Sequence, residues 1–240
     1  MAVLAGAIMS IGLSSCSGSE DGGTGNMVAP HANAIAPEPP APAAPASGTT
    51  IKRTDDALEF EYAWPASAVA IAPLNDWLKS HADSRYAEAH EQAERDRKSM
   101  EKDGFAFRAY GYQQKWSVVA DTPEVLVMQS EGYSYTGGAH GMPFTTTLIW
   151  DREAGKRRAT DDLIDVSKLA SVKRDAFCKE LDRQRAEKRG EPVKSAAEDS
   201  FASFNSCVDM KTQEIIPISN GGKALDAVRV VIGPYEAGRS

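Results

Sequence analysis

The chain has few of the residues that carry most enzyme and metal chemistry. It contains four histidines and three cysteines, and it has neither a His-Glu-x-x-His nor a Gly-x-Ser-x-Gly motif. Those absences exclude a zincin-type metal helix and an α/β-hydrolase nucleophile elbow. A catalytic set would have to be drawn from Ser134, His140 and Asp151, and no motif supports that set. We therefore expect no catalytic residue, no metal site and no cofactor.

Basic segments are also scarce. Lys and Arg number 27 against 34 Asp and Glu, so the net charge is −7 and the pI is about 5.2. No basic stretch is interleaved with aromatic residues, and we expect no nucleic-acid partner. Anionic phospholipid headgroups repel an acidic surface, so membrane attachment would need a covalent lipid.

The N-terminal segment is apolar, uncharged and short. Its run from Ala2 to Leu13 is shorter than the ~20 residues of a membrane span, and it ends in Leu13-Ser14-Ser15-Cys16. Small residues directly before a cysteine resemble the lipobox of bacterial lipoproteins, which implies a signal peptide over 1–16 and a lipid on Cys16. An ordinary signal with an incidental cysteine is the alternative. Signal peptides begin with Lys or Arg; nothing before Glu20 is charged, so we expect the natural start to lie upstream.

This resemblance implies a protein anchored in the cell envelope, on the periplasmic side, with the membrane as its partner through the lipid on Cys16. Ser17, in place of aspartate after the cysteine, favours the outer over the inner membrane by analogy with proteobacterial sorting. Residues 17–50 are rich in Pro, Ala, Gly and Ser, which predicts a disordered tether because such a segment cannot bury a core. Fully extended, it would reach up to about 100 Å at ~3.1 Å per residue.

The cysteine count fits an oxidising compartment. If Cys16 is acylated, Cys178 and Cys207 remain as a pair, and a disulfide is the predicted outcome. A metal site is the alternative, but neither cysteine has a Cys-x-x-Cys neighbour or a nearby histidine.

The hydrophobic pattern after residue 50 predicts an α+β fold with antiparallel sheet and two main helices. Strand-like segments come in runs between separated helices, without strict βαβ alternation. Val125–Met128 is continuously apolar, which predicts a central strand. His81 and His90 are expected on the surface of the first helix. The predicted strands are 57–64, 107–120, 124–135, 144–151, 215–218 and 227–232; the predicted helices run from Pro73 to Lys102 and through Leu169–Leu181 to a stop at Gly190, with a further short helix over 195–205.

A glycine-rich connection follows the third of these strands. Three glycines and a proline between Thr136 and Pro143 predict a turn with positive φ angles. Tyr133 and Tyr135 alternate with Ser134, so both tyrosines share one face of their strand. They form either an aromatic binding surface together with the turn or a packing pair within the sheet. The candidate ligand-binding residues are Tyr133, Tyr135, Thr136, Gly137, Gly138, His140 and Gly141.

Four pieces of the chain resemble a known extracytoplasmic module. They are Tyr133–Gly141 (YSYTGGAHG), the Asp151…Ile164 region, the apolar strand Ala227–Ile232 and Pro234–Gly238. The module is that of the anti-sigma-V factor, also found beside the catalytic domain of a peptidoglycan deacetylase and in many lipoproteins. The resemblance implies an N-terminal half over 51–140 and a C-terminal half over 145–240. We expect the second half to stop before a final strand, which would expose a sheet edge.

The resemblance also implies a function. The expected one is non-catalytic binding of a cell-wall component such as peptidoglycan, or of an extracellular protein such as a lysozyme-like ligand. The alternatives are a periplasmic hydrolase acting on cell-wall material and a structural envelope lipoprotein.

Overall fold

The computed structural model of the chain describes residues 47–193 and 205–236. Cys16, the expected signal peptide, most of the expected tether and nearly all of the expected 195–205 helix lie outside these residues. The first strand begins at Thr49, just before the composition changes at Ile51.

Within the described residues the fold is α+β, as predicted, with a large, mainly antiparallel sheet. The sheet has the strand order β1-β2-β3-β4-β5-β6, and β7 and β8 form a separate pair. The elements are β1 (Thr49–Thr54), β2 (Leu58–Trp64), α1 (Ala66–Val69), α2 (Ala72–Lys102), β3 (Tyr110–Asp121), β4 (Val125–Tyr135), β5 (Met142–Asp151), β6 (Lys156–Arg158), α3 (Val166–Arg189), β7 (Glu214–Ile218) and β8 (Ala227–Val231).

One pair of neighbouring strands departs from the antiparallel expectation. β2 and β3 are parallel, with Leu58 opposite Tyr110. Parallel neighbours cannot be joined by a tight turn and need a crossover connection. The helices α1 and α2 supply that crossover, so α2 is carried across one face of the sheet.

The main core lies between α2 and this sheet face. β2 alternates buried and less buried residues, and Phe60, Tyr62 and Trp64 all point into the core. Leu74 and Leu78 of α2 are fully buried against them. Burial of a leucine side chain stabilises a fold by about 1.5–3 kcal/mol, so the apolar stripe of α2 holds the helix on the sheet.

The opposite face of the sheet carries a smaller core. Val127 and Ile149 pack there against Ile216 of β7, and the Glu214 carboxylate accepts a hydrogen bond from the Thr147 N–H at 2.7 Å. All four residues of Val125–Met128 are buried, because α2 covers one face of β4 and β7 lies against the other. The prediction of a central strand is confirmed.

Helix α3 ends at the predicted stop and begins at a cap that the sequence analysis did not include. Asp165 caps its first turn by accepting a hydrogen bond from the Lys168 N–H at 2.8 Å, and Gly190 ends it in the left-handed conformation. Its expected apolar stripe is only partly buried, since Leu181 is buried but Val172 is 69% exposed.

His81 differs from its expected surface position. It is half-buried and stacks on Trp77, with ring centroids 4.7 Å apart. Its Nδ1 lies 2.8 Å from the hydroxyl of Tyr62, which is fully buried. The helical spacing of Leu74, Leu78 and His81 already placed the histidine beside the apolar stripe, and a buried hydroxyl partner makes that position favourable.

Candidate binding site

The connection between β4 and β5 has the predicted geometry. Gly137 and Gly138 have φ angles of 97° and 83°, a region that side chains resist. Gly141 serves a different purpose, because a Cβ atom there would lie 2.5 Å from the Ser134 carbonyl oxygen. The close approach lets the Gly141 N–H donate to the Tyr133 hydroxyl at 2.9 Å.

Both predicted tyrosines form hydrogen bonds with this turn through their hydroxyls, and part of each ring stays exposed to solvent. The Tyr133 side chain is 41% exposed. Tyr135 is half-buried, and its hydroxyl donates to the Gly138 carbonyl at 3.2 Å. The Arg108 guanidinium lies 5.0 Å from the centre of the Tyr135 ring, within cation–π distance. Thr136, the next predicted residue, is exposed at the start of the turn.

His140 meets a residue that the site prediction did not include. Its Nδ1 lies 3.1 Å from the Gly141 carbonyl, and its Nε2 lies 3.4 Å from the Tyr235 hydroxyl. A carbonyl only accepts, so Nδ1 donates, and in the neutral imidazole Nε2 accepts from Tyr235. Tyr235 belongs to the Pro234–Gly238 piece of the resemblance, which was the sequence signal that could have found it.

Tyr235 is unusual in two respects. Its side chain is 64% exposed, and its φ of 67° is the single positive value among non-glycine residues in the described ranges. Such backbone strain persists only where the surroundings hold it. Here the buried Gln213 holds the backbone on both sides of Tyr235. Its amide nitrogen donates to the Glu236 carboxylate, and its amide oxygen accepts from the Gly233 N–H at 3.2 Å.

A groove of about 460 Å³ opens beside this contact, between the start of β5 and the 231–236 segment. Tyr235 and Pro143 line it, and the strand register places Tyr133 directly opposite Pro143. We call this groove, together with Tyr133 and His140, which lie next to its lining residues Pro143 and Tyr235, the tyrosine groove. Its volume is within the range of ligand-binding clefts, about 300–1,000 Å³.

The residues considered for catalysis do not come together. Ser134 pairs with Met142 near one end of β4, whereas Asp151 pairs with Val125 at the other end. Asp151 instead organises the β5–β6 turn. Its carboxylate accepts a hydrogen bond from the Ala154 N–H, and this bond lowers the pKa of the carboxyl group. Across 47–193 and 205–236, no group of three or more His, Cys, Asp or Glu side chains is placed to hold a metal ion.

The predicted disulfide is confirmed. Cys178 of α3 is bonded to Cys207, with Cα atoms 5.4 Å apart. The bond ties α3 to the segment that leads into β7. No helix in the described ranges has the length and apolar character of a membrane span.

The structure is that of an α+β module with an aromatic groove. Comparison with known proteins shows which family part of it resembles. Residues 51–143 match the family model described as deacetylase PdaC. That range contains most of β1, all of β2 to β4, α2 and the turn with His140 and Gly141. The resemblance to a module of a peptidoglycan deacetylase is thus supported for this part, while the likeness to the anti-sigma-V factor stays a prediction.

Two solved structures of the DUF3298 family also match. One, from Bacteroides fragilis, is 20% identical, with a TM-score of 0.38, over 64% of this chain and 72% of its own. The other, from Pseudomonas aeruginosa, is 14% identical, with a TM-score of 0.33, over 60% of this chain and 66% of its own. A search of curated proteins found no match to the chain.

Proposed function

We propose that this chain is a non-catalytic module of the cell envelope that binds a cell-wall component in the tyrosine groove. The observation that carries the proposal is the exposed contact of His140 with Tyr235 at the mouth of a 460 Å³ groove. The match of residues 51–143 to deacetylase PdaC supports a cell-wall setting.

The chemistry of the groove suits a neutral glycan. Tyrosine rings offer apolar faces together with a polar tip, and Tyr133 and Tyr235 both leave ring surface exposed. The hydroxyls of both tyrosines can donate and accept. Such a surface covers the C–H face of a sugar ring and hydrogen-bonds to its edge, without needing a charged ligand.

Anchoring belongs to the same proposal. A lipid on Cys16 would hold the module at a membrane, with the outer membrane favoured by Ser17. Residues 17–50 would then act as a spacer whose length lets the groove reach the wall.

A basic extracellular protein is the second candidate ligand. A wide groove of about 760 Å³ beside the start of α3 is lined by Asp161, Asp162 and Asp165, with Glu214 near them and Lys211 as its basic residue. Because its carboxylates outnumber its single lysine, and because the whole chain carries a net charge of −7, this face would attract a cationic partner in a salt-dependent manner.

Sedimentation with purified peptidoglycan sacculi tests the first candidate. The full chain should pellet saturably with sacculi, and Tyr235→Ala should weaken binding about tenfold, or ~1.4 kcal/mol. Phe105→Ala is the matched control, because Phe105 is 67% exposed and lies outside the groove. Binding that is absent, or equally strong in Tyr235→Ala, contradicts the proposal.

The second candidate needs a soluble basic protein as probe. Lysozyme binding that weakens with added salt and with Asp161→Asn/Asp162→Asn, but not with Tyr235→Ala, would identify the acidic groove as the binding face instead.

A further inference from the structure

A further cavity lies on the helix side of the sheet, apart from the tyrosine groove. It has a volume of about 180 Å³ and lies, half open to solvent, between α2 and the neighbouring ends of β3 and β4. We call it the helix pocket. Arg85, Glu88 and Gln92 line it from α2, and Tyr112, Ser134 and Thr136 are among the residues that line it from the sheet. None of the four groove residues lines it.

The charges in the helix pocket cancel. Arg85 and Glu88 form an ion pair at 3.0 Å. A free anion would have to displace Glu88 from Arg85, and a free cation would have to displace Arg85 from Glu88. The pocket therefore favours a neutral ligand, which can use the outer donors of the guanidinium and the outer lone pairs of the carboxylate together.

Three polar side chains at the open side of the helix pocket are accessible to a ligand, since Gln92 and Thr136 are exposed and Ser134 is half-buried. Among the residues that the structure describes, Gln92, Ser134 and Thr136 form no side-chain hydrogen bond, although all three line the pocket. An amide and two hydroxyls both donate and accept. A ligand that matches them carries several groups of the same dual kind, as the hydroxyls of a sugar do.

The aromatic wall of the pocket is rigid. The Tyr112 hydroxyl donates to the Gln114 amide oxygen at 2.7 Å, and the Gln114 amide nitrogen donates to the Ser130 hydroxyl at 2.9 Å. Burial raises the pKa of Tyr112 to about 12, so this donor stays protonated. The chain of hydrogen bonds holds the Tyr112 ring in place, so little ordering entropy is lost when a ligand packs against it.

The size of the cavity limits the inserted part of a ligand to one small ring. A volume of 180 Å³ corresponds to about six water molecules at ~30 Å³ each. We propose that the helix pocket is a saccharide-binding site that takes one residue of a neutral glycan. The site is separate from the tyrosine groove, so variants of its own residues test it independently of the groove.

Saturation-transfer NMR and calorimetry of the full chain with chitotriose and cellotriose test this inference. Gln92→Leu should weaken binding of the preferred sugar about tenfold, as expected for loss of a hydrogen-bonding partner. Thr136→Val, which removes one hydroxyl at nearly constant shape, should weaken it in the same direction. Gln184→Leu makes the same change on the exposed face of α3 and should bind like the wild type.

The outcomes separate this site from the proposed groove. Loss of binding in Gln92→Leu with full binding in Tyr235→Ala supports the helix pocket. Full binding in Gln92→Leu, or no binding of either sugar to the wild type, overturns it. If Gln92→Leu lowers the melting temperature, the comparison of Thr136→Val with the wild type decides.

Discussion

The buried hydroxyl of Tyr62 donates a hydrogen bond to Nδ1 of His81 across 2.8 Å. The oxygen already accepts from the indole N–H of Trp116 at 2.6 Å, and among the described residues Nδ1 of His81 is the remaining hydrogen-bond partner of the hydroxyl. A buried O–H needs an acceptor, so Nδ1 is that acceptor. Nδ1 must then be unprotonated, so the contact between α2 and the sheet requires a neutral imidazole.

We expect the protein to lose stability in mild acid through His81. Burial, together with Arg85 and Arg157, lowers the pKa of His81 to about 4, against about 6.5 in an unfolded chain; Glu88 faces it as the opposing charge. Between these values the unfolded state binds the extra proton, so the free energy of unfolding falls as the pH falls from about 6.5 to about 4.

Urea denaturation near pH 7 and near pH 4.5 measures this loss. His81→Gln cannot titrate, so its free energy of unfolding should depend less on pH than that of the wild type. Equal pH dependence of the two proteins would show that His81 contributes nothing.

The glycine turn gives a second prediction with a matched control. Neither Gly138 nor Gly221 has a neighbouring atom within 4 Å of a built Cβ, but only Gly138 has a positive φ, of 83°. Gly138→Val should therefore lower the free energy of unfolding by at least about 1–2 kcal/mol, whereas Gly221→Val should cost much less. If thermal denaturation shows the same loss for both, the backbone conformation is not the cause.

Removal of the disulfide should destabilise the C-terminal part of the fold. Cys178 and Cys207 are 29 residues apart, and closing a loop of that length contributes about 3–4 kcal/mol in the chain-entropy model. The double variant Cys178→Ser/Cys207→Ser should show this loss in urea denaturation. Non-reducing mass spectrometry of the exported wild type should find the two peptides linked, and two free thiols would refute the bond.

Lipidation at Cys16 is tested by metabolic labelling. Labelled palmitate should enter the wild type and a Ser17→Ala control but not Cys16→Ala, when the gene is expressed with a basic signal start. An uncleaved N-terminus, or equal labelling of all three proteins, would contradict the lipobox interpretation.

Much of the secondary structure could be predicted because its signals are local. Pro73 and Gly190 bound the two long helices, and the alternation in Leu58–Trp64 marks a strand with one buried face. The tyrosines of Tyr133–Gly141 were found for the same reason, since their spacing and the glycines lie within one short segment. Parallel pairing of β2 with β3 was not predictable in this way, because it depends on where a long crossover returns the chain.

The sequence by itself determined the fold class, the bounds of α2, the end of α3, the disulfide and the glycine turn, because each rests on short-range chemistry or on residue counting. Only the tertiary structure decided that Tyr235 meets His140 from 95 residues away, that His81 is enclosed with Tyr62, and that Gln92 and Thr136 share a pocket. Those contacts join separate elements, and they form only when α2 and the C-terminal segment pack on opposite faces of the sheet. Burial against the two faces therefore defines both candidate binding sites.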